Sequence, residues 1–106
     1  MREEGVKTMN LEQLKKYKSQ IIELAEANKT VNIRVFGSVS REQANEDSDI
    51  DFVIDVGEGQ NLIDFIRLKQ ELEDLLGHEV DLAPSTELRE GMRESILKDA
   101  IPIAYL

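Results

Sequence analysis

Two short motifs in this chain carry side chains whose chemistry fits together: Gly37-Ser38 and, ten residues on, Asp49-Ile50-Asp51. The Gly-Ser pair closes an apolar run from Val31 to Phe36, and the Asp-x-Asp opens a second run from Phe52 to Val56. Glycine removes a side chain where backbone must approach a ligand closely. Ser38 adds a hydroxyl and a backbone N–H at a candidate helix N-terminus, where anions bind readily. Arg41, three residues further, has a forked guanidinium that can reach the same phosphates. Alternate residues of a strand face the same way, so Asp49 and Asp51 should project together, about 6.6 Å apart along the backbone. Carboxylates so placed can clamp hard cations such as Mg²⁺ against a phosphate, and two-metal sites hold their ions roughly 3.5–4 Å apart. The pattern is one for holding a metal-bound triphosphate.

A third acid can join them. Val80 and Leu82 should share one face of a short strand and point Asp81 to the other. If that strand lies beside the one that begins at Asp49, Asp81 enters the same cluster. An acid between Val and Leu is costly to bury unless a cation or hydrogen bonds compensate. Asp55 has the parity of Asp51 but lies about 13 Å further along the strand, outside the cluster. Rival metal motifs fail. Counting from Asp47, the sixth position of an EF-hand loop would be Phe52, where glycine is required. In phosphatases with an Asp nucleophile the Asp-x-Asp follows an apolar strand, whereas here it precedes one. No Gly-Lys-Ser/Thr of a Walker loop occurs.

The elements that must position these residues are legible as patterns. Asn10, with Gln13 three residues on, reads as the start of a helix over about 10–28, carrying Leu11, Leu14, Ile21, Leu24 and Ala25 at helical spacing. Val31 to Phe36 and Asp49 to Val56 are strands, and a short helix is expected over 39–46, starting at Ser38. Gly57 to Gln60 is a turn. Asn61 to Leu76 is amphipathic, with Leu62, Phe65, Ile66, Leu68, Leu72, Leu75 and Leu76 read as core, and Gly77 ends it. Glu79 to Ala83 is a third strand, stopped by Pro84. Ser85 or Thr86 should cap a helix reaching Lys98, with Leu88, Met92, Ile96 and Leu97 on its buried side. Ile101 to Leu106 should return as an edge strand, the one setting that tolerates Pro102. Tyr17 and Tyr105 are read as packed, and His78 as structural or inert. The fold class is α/β (α+β): a small mixed sheet of about four strands with helices packed on it.

The bulk composition sets limits. A chain of 106 residues, 33% charged and 41% hydrophobic, is read as one soluble domain over 1–106, with residues 1–9 a loose lead-in. Its formal net charge of −9 repels phosphate backbones, so direct nucleic-acid binding is not expected. No apolar stretch approaches the ~20 residues that span a bilayer. No apolar segment follows Met1-Arg2-Glu3-Glu4 as a signal peptide would require. With no cysteine there is neither a disulfide framework nor a thiolate metal site, which fits a cytoplasmic protein.

Phe36-Gly37-Ser38, Arg41 and Ser48-Asp49-Ile50-Asp51 resemble the signature of the DNA polymerase β-type nucleotidyltransferases, and Val80-Asp81-Leu82 resembles the strand that carries their third acid. The short chain resembles their minimal branch, the MNT-type antitoxins that pair with HEPN-domain toxins. Glu42 departs from the pattern, standing where the family often has glycine, and its carboxylate is expected to turn outward. The resemblance implies Asp49, Asp51 and Asp81 as catalytic and metal-holding residues. It implies Gly37, Ser38 and Arg41 as the nucleotide-binding ones, Mg²⁺ (two ions) as cofactor and ATP as substrate. It further implies AMP transfer to a tyrosine of an adjacently encoded HEPN toxin, in a type VII-like toxin–antitoxin pair. Two other readings remain open: an antitoxin that neutralises by binding alone, and a small-molecule, antibiotic-type nucleotidyltransferase completed by a second subunit.

Overall fold

A computed structural model describes residues 9–37, 39–40 and 49–106. Among them the chain runs α1 (Leu11–Lys15), α2 (Lys18–Ala27), β1 (Thr30–Phe36), β2 (Ile50–Val56), α3 (Leu62–Leu76), β3 (Val80–Pro84), α4 (Glu90–Asp99) and β4 (Ile101–Pro102). Short 3-10 turns occupy Ser85–Glu87 and Ile103–Tyr105. The sheet has the order β3-β2-β1-β4. β1 is antiparallel to both β2 and β4, and β2 is parallel to β3. A parallel pair needs a long crossover, which α3 supplies. No helix among the described residues is long and apolar enough to cross a membrane.

Alternation along the strands gives the sheet one apolar face. Ile33 and Val35 of β1, Ile50, Phe52 and Ile54 of β2, and Val80 and Leu82 of β3 are buried there, with Leu14, Ile21 and Ala25 from α1 and α2 and Leu68, Leu72 and Leu76 from α3. The other parity carries Arg34, Phe36, Asp51, Asp55 and Asp81. The periodicity of the sequence thus decides which face is core and which carries acids.

The helix expected over 10–28 is broken. Asn10 caps α1 as anticipated, its Oδ1 accepting the Gln13 N–H at 2.8 Å. The N–H groups of Lys16 and Tyr17 then bond three residues back, to Gln13 and Leu14. This tightened turn lets the Tyr17 ring pack on the core before α2 begins. At the far end of α2, buried Asn28 donates to the Leu24 carbonyl and to Glu71 of α3, and accepts from Arg67. Gln60 donates to the Asn28 carbonyl and the Thr30 hydroxyl, closing the turn after β2 onto the same junction.

Further expectations change in α3, in α4 and in the return strand. The Ser85 hydroxyl donates to Asp55 at 2.6 Å instead of capping a helix, so α4 starts only at Glu90. No residue of α4 is buried and Met92 is exposed. The α3 stripe is only partly core, because Leu62 and Ile66 face solvent. The return strand shortens to two residues, since the chain after Pro102 turns into a 3-10 turn that leaves Tyr105 exposed.

Candidate active site

Strand register brings the predicted acids to one end of the sheet. Asp51 pairs with Phe36 on one side and with Asp81 on the other. Neighbouring strands lie about 4.8 Å apart, so Asp51 and Asp81 stand side by side on the same face. Asp81 is exposed while Val80 and Leu82 beside it are buried, as their alternation requires. Asp49 sits one residue ahead of β2, also exposed. The Ile50 N–H between the two acids donates to the Glu79 carbonyl at 2.9 Å, which ties the acidic ends of β2 and β3 together.

Gly37 follows β1 directly and has φ +76, a left-handed conformation open to glycine at little cost. A Cβ at this position would collide with the Asp51 carboxylate. The turn thus lies directly over the acid, leaving backbone where a ligand's phosphates could approach. The Ser40 hydroxyl closes the turn by donating to the Gly37 carbonyl at 3.0 Å, and buried Val39 anchors it to the core. Ser38, Arg41 and Glu42, and most of the helix expected over 39–46, lie outside the described residues.

The donor set fits a hard cation: carboxylate oxygens in a chain without cysteine. Among the described residues no three His, Asp or Glu side chains converge closely enough to hold a metal ion unaided. Mg²⁺ does not require such a cage, being commonly bound by one or two carboxylates together with substrate phosphates.

Two side chains that pattern alone did not single out brace the third acid. Glu73 of α3 accepts the Val80 N–H at 3.0 Å and ion-pairs with Lys69 at 2.9 Å. The Lys69 ammonium, then the Val80 N–H, hold the Glu73 carboxyl below its usual range. The hydrogen bond to Glu73 raises Lys69, and the negative charges of Glu79 and Asp81 add to it. The readable signal was the i,i+4 spacing of Lys69 and Glu73; their contact with β3 needed the fold. Asp55, set aside by distance, is engaged elsewhere. Burial works against its charge, yet the Ser85 hydroxyl, the Asn32 amide and Arg34 (3.1 Å) together hold it below the usual carboxylate range.

A family model described as a nucleotidyltransferase domain matches residues 12–104. The protein adenylyltransferase MntA of Thermococcus cleftensis is 40% identical over 79 residues, which are 74% of this chain and 80% of that protein. A solved structure of a minimal nucleotidyltransferase superposes with TM-score 0.81 at 42% identity, covering 89% of this chain and 96% of that one. A toxin–antitoxin crystal structure with AMP-PNP superposes with TM-score 0.69 at 25% identity, covering 81% and 71%.

Proposed function

Since this chain belongs to the nucleotidyltransferase-domain family, we propose that it is a Mg²⁺-dependent protein adenylyltransferase, the antitoxin of a toxin–antitoxin pair. It transfers AMP from ATP to a tyrosine hydroxyl of a HEPN-domain toxin and thereby neutralises it. The observation that carries this reading is the backbone of Gly37 lying against Asp51, with Asp81 in register on the adjacent parallel strand. The adenylyltransferase name of the Thermococcus relative and the AMP-PNP in the toxin–antitoxin neighbour support AMP as the group transferred.

Asp49, Asp51 and Asp81 would hold Mg²⁺. Bound there, the metal neutralises phosphate charge and makes the attacking hydroxyl more acidic. Gly37 leaves its backbone open to the phosphates, Ser38 orients the β- and γ-phosphates, and Arg41 neutralises the leaving pyrophosphate. The tyrosine oxygen attacks the α-phosphorus, an O–P bond forms, and the bond to the β-phosphate oxygen breaks. The phenolic proton passes to the Asp81 carboxylate and then to solvent. Glu73 acts at one remove, holding the start of β3 and with it Asp81.

The test is incubation with Mg-ATP and the HEPN-domain protein encoded beside this chain, followed by mass spectrometry of that protein. A mass gain of one or more adenylyl groups is expected, lost with chelator and lost in the double variant Asp49→Asn/Asp51→Asn. Labelling that survives the double variant sinks the site assignment. Neutralisation that survives without labelling favours an antitoxin acting by binding alone.

A further inference from the structure

Of the two tyrosines in this chain, Tyr17 packs on the core and Tyr105 is 82% exposed. The 3-10 turn Ile103–Tyr105 holds it outward. Ile103 is fully buried, Leu106 packs against the core, and the Leu106 N–H donates to the Ile103 carbonyl at 3.0 Å. The phenol is therefore presented on a fixed backbone, but not to the acids of its own chain. β4 runs antiparallel to β1, pairing Ile101 with Val35 and then Pro102 with Arg34, so the chain moves away from Phe36 and Asp51. Ala104 lines a cleft with Val31 and Ile33, near the start of β1. By strand rise Val31 and Phe36 are about 17 Å apart, and two strand spacings of about 4.8 Å separate β4 from β2. A tyrosine side chain does not span that distance, so Tyr105 is out of reach of its own site.

Local charge indicates what surface Tyr105 fits. Lys15 and Glu12 share an open cleft with it. From Met9 to Gln20 the chain carries Lys15, Lys16 and Lys18 against Glu12 alone, although its net charge is −9. Lys15 and Lys16 are exposed. The site end has the opposite sign, with Asp49, Glu79 and Asp81 exposed. Patches of opposite sign on one chain attract between copies and bring them together head to tail. We propose that Tyr105 is an acceptor of AMP, adenylylated by the active site of a second copy of this chain. This deepens the tyrosine-directed transfer proposed above and rests on it. The Tyr105 hydroxyl oxygen attacks the α-phosphorus of ATP held by the other copy. An O–P bond forms, the bond to the β-phosphate oxygen breaks, and pyrophosphate leaves. The phenolic proton passes to the Asp81 carboxylate of that copy and then to solvent. The new phosphodiester is anionic and stands beside Lys15, so it weakens the attraction that brought the copies together. Transfer then stops at one adenylyl group per chain, and until it does a second copy competes with the protein target for the site.

The experiment incubates the full chain with Mg-ATP alone and maps adenylyl groups by mass spectrometry of the intact chain and its peptides. One group on Tyr105 is expected, with a rate that rises with chain concentration and falls as salt screens the patches. Tyr105→Phe should take no group. Mixed with Asp49→Asn/Asp51→Asn, it should adenylylate Tyr105 of that inactive copy. Lys15→Gln/Lys16→Gln should slow self-labelling several-fold at low salt and little at high salt. A group that survives Tyr105→Phe, or an inactive copy left bare in the mixture, overturns the inference. A parallel incubation contains the adjacently encoded HEPN-domain protein. That protein labelled while the native chain, incubated alone, stays bare overturns the inference and leaves the transferase standing. Tyr105 labelled while that protein stays bare keeps the inference and removes the toxin as target. No adenylyl group on either protein overturns the transferase reading and this inference with it.

Discussion

The Asp51 carboxylate occupies the space that a side chain at Gly37 would need, and that close approach defines the candidate site at the scale of single residues. Alanine at φ +76 costs roughly 1–2 kcal/mol, and its methyl group would displace the Asp51 carboxylate. Gly37→Ala should therefore lower the melting temperature by several degrees and cut transfer about 100-fold, the scale of a misplaced reacting group. Initial rates of AMP transfer and thermal melting check this, and a full-rate variant would separate Gly37 from the site. The placement of the acids was legible where chemistry coincides with local parity. Asp81 could be aimed correctly because apolar Val80 and Leu82 fix the opposite face, and Asp55 could be set aside by its distance along β2. Asp64 and Asn28 were not legible. Asp64 is held by its helix neighbours Asn61 and Arg67 as well as by distant Lys29, and Asn28 by Glu71, Arg67 and Gln60 brought from far along the chain.

Among the elements, α3 shows how far a pattern reaches. Asn61 caps it through a reciprocal box with Asp64, and Gly77 ends it at φ 70. Both ends are set by local backbone chemistry, which is why the helix could be bounded from sequence. Its burial could not be, because the stripe runs past the end of the sheet and leaves Leu62 and Ile66 with no layer to cover them. Ser85 failed as a cap for a similar reason: Asp55, thirty residues earlier, takes its hydroxyl. Asn61→Ala should cost about 1 kcal/mol, read by chemical denaturation, and leave transfer rates alone. Glu73 joins α3 to the start of β3, so its effect should surface in catalysis. Glu73→Gln keeps an oxygen for the Val80 N–H, whereas Glu73→Ala loses it. The alanine variant should need several-fold more Mg²⁺ for half-maximal rate, with the glutamine variant close to native. Equal Mg²⁺ dependence in both would confine Glu73 to stability.

Across the whole molecule, the sequence implied the order of elements but not the order of strands. Pairing β2 between β1 and β3 is what brings Asp51 beside both Gly37 and Asp81, and α3, crossing from β2 to β3 and packing on the sheet, accompanies the second of those pairings. The same packing distributes charge so that stability depends on pH. Burial opposes the charge of Asp55, but Ser85, Asn32 and Arg34 outweigh it and depress its pKa. The Asn61 N–H, with Lys29 and Arg67, depresses Asp64, and Lys69 with the Val80 N–H depresses Glu73. A depressed carboxyl contributes stability that is present above its unfolded pKa, about 3.9 for Asp and 4.3 for Glu. That contribution is lost as pH falls through the folded value. Lys69 is raised, so its smaller, solvent-screened contribution is present below about pH 10.4 and lost above it. Between these limits the groups named here hold the same number of protons folded and unfolded. Their contribution to the melting temperature should be flat from about pH 5 to pH 9, with an acid limb below about pH 4. Asp55→Asn should make that limb shallower while lowering the neutral-pH plateau, because Arg34 loses its carboxylate. Ser85→Ala should lower the plateau by about 1 kcal/mol, or roughly 4–8 °C for a domain of this size. Calorimetry of the native chain and both variants at pH 7 and pH 3.5 decides it. An acid limb in Asp55→Asn as steep as the native one would move the acid sensitivity away from the Asn32–Arg34–Asp55–Ser85 cluster.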